Sequence, residues 1–599
     1  MQSGQDARPR AKSAFAAAFL SLLFPGLGHA YAGAWQRALL FAALPLLLIS
    51  LGAGMLLRLP LTDLIAFASQ EEVLGSVFVL NLLALAYRLI AVVDAYRVTA
   101  FLNAWNAGAD GRLGPPRLRP GPLSIAGLLA VVLVLGSGHV ALARLDLIAM
   151  RTLDCIFNPE ATDCPTTGSP APAASASSSG SPEPSPDPSA EPSVSLPPEG
   201  SAVPNVTSPP WNGTERLNIL LIGADEQGGG HNTDTLITLS IDPVDGKVAM
   251  FTLPRDAVNV PIPAGPARRV YGNVYEGKIN SLFVSAGRRA DAFPGTARTR
   301  GYNALKATLG ELYGLDIKYY VEVNFEGFTA AVDALGGVTV NVQVPVVDDS
   351  YPDDRLSRRV FIPSGVQHMT GAQALIYARS RHGSTDFDRG QRQQRVLLSL
   401  REQIDVGTVL PRIDQLATAL QSAVRTDVPR ELLPNLLGLA ERIDSRQIRT
   451  YVFAPPRYGT EQLEPVYKLF PNVQAIRQAV DEAFVVDPEL EGLREALVEE
   501  AASAWVLNGS GVEDQASTIA TYLEFLGLTA SAPNRRAEQG AATRIEVYNG
   551  AETRIPRTIE ALEEAFGVRA RLRADPGVRV DIVITTGRET PQLSPPPRP

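Results

Sequence analysis

The chain has 599 residues, 45% of them hydrophobic, and a formal net charge of −9. That allows roughly three to five domains with real cores and disfavours an overall basic nucleic-acid binder. Cys155 and Cys164 cannot by themselves build a zinc cluster, five histidines are scattered, and no HExxH, P-loop or GxSxG pattern occurs, so the common hydrolase and nucleotide-binding chemistries lack their signatures.

Residues 1–150 form the most apolar part, with four stretches at about 13–33, 38–57, 73–93 and 122–143. The last three have the ~20 residues that a spanning helix requires. The first contains Pro25-Gly26-Leu27-Gly28, a helix breaker, and reads as re-entrant or interfacial. Arg8, Arg10 and Lys12 lie before it, and Arg97, Arg112, Arg117 and Arg119 lie between the third and fourth stretches. With three spans, both positive segments face the cytoplasm and everything after about residue 145 lies outside. Arg88 and Asp94 are expected to snorkel near the cytoplasmic end.

Residues 151–215 read as an extracytoplasmic linker. Its Cys155 and Cys164 are expected to pair, as thiols outside the cytoplasm do. Residues 165–210 are rich in Pro, Ser and Ala and too polar to order themselves. As a flexible coil they would span ~40 Å, and as polyproline ~140 Å.

Residues 216–455 read as a layered α/β domain with a mixed sheet. Strands are predicted at 217–222, 235–241, 247–253 and 338–343, and helices at 301–313, 325–335, 369–377 and 387–402. Polar residues gather at strand ends: Asp225, Asp234 and Pro254-Arg255-Asp256. A second cluster holds Arg379, Arg381, Asp386, Arg389, Arg392 and Gln393. Arg379 and Arg381 share a face if extended, and Asp386, Arg389 and Gln393 share a helix face. With Arg255 this gives four convergent guanidiniums, whose planar forks suit phosphate oxygens. The whole set therefore reads as an anion site, although any single Arg–Asp pair is more simply a surface ion pair. Asp256 reads as a structural brace.

The stretches LNILLIGAD, NTDTLITLSIDP, FTLPRD, KIN, VEVNFEGFTAAVDALGGVTVNV and HMTGAQALIYARSR...DFDRGQRQQ resemble the LytR-CpsA-Psr family over roughly 216–400. The resemblance implies a membrane-anchored phosphotransferase working outside the cytoplasm. Such an enzyme moves a phosphoglycan from a polyprenyl-pyrophosphate carrier to peptidoglycan, with magnesium assisting and no nucleic-acid partner. By position, Arg255, Arg379, Arg381, Arg389 and Gln393 would grip the pyrophosphate. Asp225 and Asp234 would hold magnesium, and Asp386 would brace the arginines or accept a proton, a role Asp234 could share. Asn232 and Ser281 stand where many members have Arg and His. A prenyl tail would need an apolar tunnel, for which the faces of 301–313 and 325–335 are candidates. Two other readings use the same residues: a polyprenyl-pyrophosphate hydrolase, and a non-enzymatic envelope scaffold or regulator.

Residues 403–446 read as helices packed on this domain, and 456–500 as a polar, proline-containing connector. Residues 501–590 form a small βαβ-like unit, with strands at 505–507, 543–548 and 580–585 and helices at 514–526 and 556–566. Its Val506-Leu507-Asn508-Gly509-Ser510-Gly511 opening resembles that of the LytR C-terminal domain, and the glycine turn is expected to be structural. Residues 591–599 read as a disordered tail.

Overall fold

The computed structural model describes residues 11–108 (less 60 and 69), 122–161, 164, 210–225 and 232–593 (less 353–356, 382–384, 405–411, 444–447, 486, 534, 536, 538, 539 and 541). The linker at 165–209, most of the Arg-rich 97–120 loop beyond residue 108 and the last six residues lie outside them. Contacts divide the chain into one unit of Met1–Asp154 with Arg430–Gly438 and another of Cys155–Pro429 with Leu439–Pro599.

In the first unit the helices Trp35–Arg58, Glu71–Gly108 and Pro122–Phe157 are long and apolar enough to cross a membrane. The first apolar stretch is broken where the sequence predicts. Helix Ala14–Leu23 ends before Pro25, Gly26 takes φ +99°, and Leu27–Ala32 is a separate short helix. Arg88 and Asp94 each have polar partners. Arg88 donates to the Leu22 carbonyl at 2.6 Å, and Asp94 meets His29 at 3.0 Å and Arg37 at 2.9 Å. A carbonyl left over at a broken helix end and a carboxylate among apolar helices both find partners, as burial requires.

The second unit begins with the Cys155–Cys164 disulfide. Its larger domain is built on a six-stranded mixed sheet. Strands β1 (Leu217–Asp225), β2 (Asn232–Ile241) and β3 (Val248–Thr252) run antiparallel in sequence. Helix α1 (Arg300–Tyr313) leads to β4 (Tyr319–Asn324), which pairs parallel to β1. Next come α2 (Phe325–Leu335), β5 (Val338–Val342), β6 (Val346–Pro352), β7 (Ser357–Ile362), β8 (Gly365–Met369), α3 (Gly371–Arg379) and α4 (Asp386–Gln403). Helix α5 (Ile413–Ala423), β9 (Val424–Thr426) and β10 (Arg449–Val452) complete the sheet in the order β9-β4-β1-β2-β3-β10.

Period-two alternation gives this sheet two different faces. Leu220, Leu236, Phe251 and Tyr320 point into a core with Leu305, Leu309 and Tyr313 of α1. Leu221, Ile237, Val321 and Val323 line the opposite face. There α2, β5, α3 and α4 build a second core around Val332, Val340, Ala374, Tyr377 and Val396. The predicted tunnel role of 301–313 is thus overturned, because α1 covers the far side of the sheet.

The stretch 456–500 is more ordered than its composition suggests. It holds the hairpin β11 (Gly459–Gln462) and β12 (Lys468–Pro471), then helices Val473–Glu482 and Pro488–Glu500. The C-terminal module contains β13 (Ser503–Asn508), α6 (Gln515–Leu526), β14 (Thr529–Ser531), β15 (Arg544–Tyr548), α7 (Pro556–Phe566), β16 (Ala570–Arg573) and β17 (Ile582–Thr586). Its sheet order is β14-β13-β17-β15-β16, around its own core of Val506, Leu523, Ile545, Leu562 and Ile584.

Helix α2 sits where it does because Gly327 has no side chain. Asn324 caps the helix by accepting from Gly327 N at 2.8 Å, and a Cβ at 327 would lie 1.9 Å from that of Ala423 on α5. Gly327→Ala is expected to force α2 and α5 apart and cost about 1–3 kcal/mol, measured as a lower thermal midpoint of the solubilised protein. An unchanged midpoint would contradict this packing.

Candidate functional site

Asp234 owes its position to a flaw in the β1–β2 ladder. Gly223 opposes Thr235 and Ala224 opposes Thr233, so Asp234 is the extra residue of a β-bulge. A bulge bends the strand and re-aims a side chain, and Asp234 lines the cavity against the sheet. Arg255, in the turn after β3, donates from Nη1 to Asp234 Oδ1. Asp256 braces it from the other side: Oδ2 lies 3.8 Å from Arg255 Nε, while Oδ1 takes Lys278 Nζ. Arg255 Nε is nevertheless buried without a hydrogen bond.

The other three arginines come from the junction of α3 and α4. Arg379 closes α3, a helical rather than extended position, because the helix runs two residues past the predicted end. Its guanidinium lies 4.2 Å from the centre of the Phe325 ring. Arg381 follows one extended residue later, its backbone N–H held by Asp348 Oδ2 at 3.1 Å. Arg389 emerges from the first turn of α4, where Thr385 and Asp388 form a capping box, and meets Asp386 Oδ2 at 2.9 Å.

Arg392 belongs to the scaffold. It is buried, donates from Nε to the Tyr377 carbonyl at 2.9 Å and from Nη2 to the Ser380 carbonyl. These are carbonyls that a helix C-terminus leaves unpaired, so Arg392 fixes the segment that aims Arg379 and Arg381. Gln393 lines the cavity and reaches the Ala378 carbonyl at 3.4 Å.

Electrostatics bind the set together. Burial lowers the Arg389 pKa, with Asp386 opposing. For Arg255 burial acts in the same sense, but the charge and hydrogen bond of Asp234 outweigh it and the net shift is upward. Both guanidiniums stay charged at any physiological pH. Burial pushes the Asp386 carboxyl above its ordinary range, although Arg389 and Arg255 pull it down.

The arginines line a cavity of about 560 Å³. Asp234, Arg255, Arg379, Arg381, Arg389 and Gln393 all line it. Much of the rest of its wall is apolar: Leu221, Ile237, Val321 and Val323 from the sheet, Phe325 and Phe328 from α2, Leu375 from α3, Val396 and Leu397 from α4. Of the two predicted tunnel helices, only 325–335 contributes. Sequence reasoning missed one wall altogether. The β6–β7 hairpin supplies Asp348, Ser350 and Tyr351, and Val346-Val347-Asp348-Asp349-Ser350-Tyr351 has no apolar–polar alternation that would mark it as a strand. Lys278 of the KIN stretch was also passed over. Ser281, in the position where a histidine is common, pairs with the Tyr275 hydroxyl at 2.8 Å.

Among the described residues no group of three or more His, Cys, Asp or Glu side chains gathers to hold a metal. Asp225 ends β1 opposite Asn232, two residues before Asp234; the Asp225 side chain lies outside the described residues. One or two carboxylates suit magnesium, which retains waters and takes substrate phosphates as further ligands.

The LytR_cpsA_psr family model matches residues 187–470, and the model described as LytR cell envelope-related transcriptional attenuator matches 505–588. A polyisoprenyl-teichoic acid–peptidoglycan teichoic acid transferase, TagU, of Bacillus mycoides strain KBAB4 is 28% identical over 221 residues, 36% of this chain and 62% of the relative. TagU of Halalkalibacterium halodurans is 28% identical over 239 residues, 39% of this chain and 68% of the relative. The chain thus spans 62% of the length of the Bacillus mycoides protein. A crystal structure of Bacillus subtilis TagV aligns at 24% identity over 46% of this chain and 99% of that one, with a TM-score of 0.35. Residues 187–470 thus match the LytR-CpsA-Psr family, and residues 505–588 match the LytR C-terminal module.

Proposed function

We propose that the chain is a phosphotransferase that moves a phosphoglycan from a polyprenyl-pyrophosphate carrier onto peptidoglycan, on the outer side of a membrane that it crosses several times. One observation carries this reading: four arginines from two distant stretches of the sequence line one largely apolar cavity. A diphosphate bearing a hydrocarbon tail complements both halves. Each buried methylene contributes ~0.8 kcal/mol, and the guanidinium forks match the phosphate oxygens. The names of the TagU relatives, transferases of teichoic acid from a polyisoprenyl carrier to peptidoglycan, agree with it.

An acceptor sugar hydroxyl attacks the phosphorus that bears the glycan. The new P–O bond forms as the bond to the bridging diphosphate oxygen breaks, and polyprenyl phosphate leaves. The arginines stabilise charge growing on the phosphoryl and leaving oxygens. The attacking hydroxyl must lose a proton. Both candidate carboxylates are paired with an arginine, Asp234 with Arg255 and Asp386 with Arg389; what favours Asp386 is that burial raises its pKa above the ordinary range. Asp234, with Asp225, would hold magnesium, which would add positive charge at the diphosphate.

Supplying the solubilised protein with a polyprenyl-pyrophosphate-linked glycan and peptidoglycan tests the reading. Glycan joined to the wall polymer with release of polyprenyl phosphate supports it. Inorganic phosphate would instead indicate hydrolysis, and tight binding without turnover a scaffold. Arg255→Ala and Arg381→Ala are each expected to lower transfer at least about 100-fold, at an unchanged thermal midpoint; wild-type rates in both would refute the site. The pH profile supplies a second check. Asp386 must be ionised to accept the proton, and its pKa is raised, so kcat/KM should fall as pH drops through a value above the ordinary carboxylate range. Asp386→Asn should remove that limb along with most activity. A profile flat down to the ordinary range would exclude Asp386 as the base.

A further inference from the structure

One carboxylate of the C-terminal module gathers three donors of the larger domain. Glu524 on α6 accepts from Asn341 Nδ2, Gln343 Nε2 and Arg395 Nη2, each at 2.8 Å. The same seam continues in the backbone: Asn341 Nδ2 also reaches the Ala530 carbonyl at 3.0 Å, and Ala532 N donates to the Gln343 carbonyl at 2.6 Å. Asn341 belongs to β5, with Gln343 just beyond it, and β5 packs against α4.

Arg395 is the informative member. It sits on α4, six residues after Arg389 and two after Gln393, with its side chain only 15% exposed. Its Nη1 lies 3.4 Å from the hydroxyl of Tyr377 on α3, two residues before Arg379. Arg395 therefore spans the two helices whose relative position sets the spacing of Arg379 against Arg389 and Gln393. The carboxylate paired with it among the described residues, Glu524, comes from the other domain. A guanidinium cannot shed its proton, and a mostly buried charge deprived of its partner is strongly unfavourable. Without Glu524, Arg395 would have to reach water, and its two anchoring helices would shift with it.

We propose that Glu524 is a positioning residue for the diphosphate grip, so that the C-terminal module is a structural part of the site and not only an appendage. This rests on the reading of the cavity as a polyprenyl-diphosphate site.

The test uses the full chain in detergent, with geranylgeranyl diphosphate and geranylgeraniol as probes and calorimetry as the readout. The diphosphate reports head-group grip plus tail binding, and the alcohol reports the tail alone. Glu524→Gln, which keeps the shape but removes the charge, is expected to weaken diphosphate binding about five-fold or more while alcohol binding stays as in wild type. Replacing both partners, Arg395→Met with Glu524→Leu, removes the unpaired charge and should return diphosphate affinity to within about three-fold of wild type. Equal diphosphate affinity in wild type and Glu524→Gln would overturn the proposal, as would parallel loss of both probes or a double variant as weak as the single one. Should wild type itself fail to bind the diphosphate better than the alcohol, the functional reading fails, and the inference falls with it.

Discussion

Bringing several guanidiniums into one cavity is the constraint on which the rest of this structure turns. Two unit charges 8 Å apart repel by about 2 kcal/mol at an effective dielectric of 20, and burial adds a desolvation cost for each. The fold answers with dedicated counter-groups. Asp234 and Asp256 flank Arg255, Asp386 holds Arg389, the Phe325 ring lies under Arg379, and Asp348 fixes the backbone of Arg381. These groups keep the arginines in place without ligand. Pre-organisation of this kind lowers the cost of ordering the site during binding.

The sheet contributes by having two unlike faces. One is closed by α1 and forms the larger core. The other is left as the floor of a cavity, roofed by α2, α3 and α4. The bulge at Asp234 turns one polar side chain into that otherwise apolar floor. Arg392 does the corresponding work on the roof, converting unpaired helix carbonyls into a fixed platform for Arg379 and Arg381. The polar and greasy halves of the site are therefore products of the same two layers.

Much of this was legible in the sequence. Short motifs marked Arg255, Arg379, Arg381, Arg389 and Gln393, and hydrophobic period placed β1, β2, α1, α2 and α4 to within a few residues. Three things were not legible. Period 3.6 shows that 301–313 has an apolar face but not which side of the sheet it covers, so α1 was offered as tunnel wall when it packs on the far core. The β6–β7 wall and the β11–β12 hairpin are short and mixed in polarity, stabilised by pairing with each other rather than by any local preference. The role of Arg395 was equally hidden, since its counter-ion lies 129 residues away.

The most direct measurement is a structure of the protein with a polyprenyl diphosphate bound. The account predicts phosphate oxygens within hydrogen-bond distance of Arg255, Arg379, Arg381 and Arg389, and the hydrocarbon chain running past Val321, Val323 and Phe328. A ligand seated elsewhere, or a diphosphate that touches none of these arginines, would contradict it.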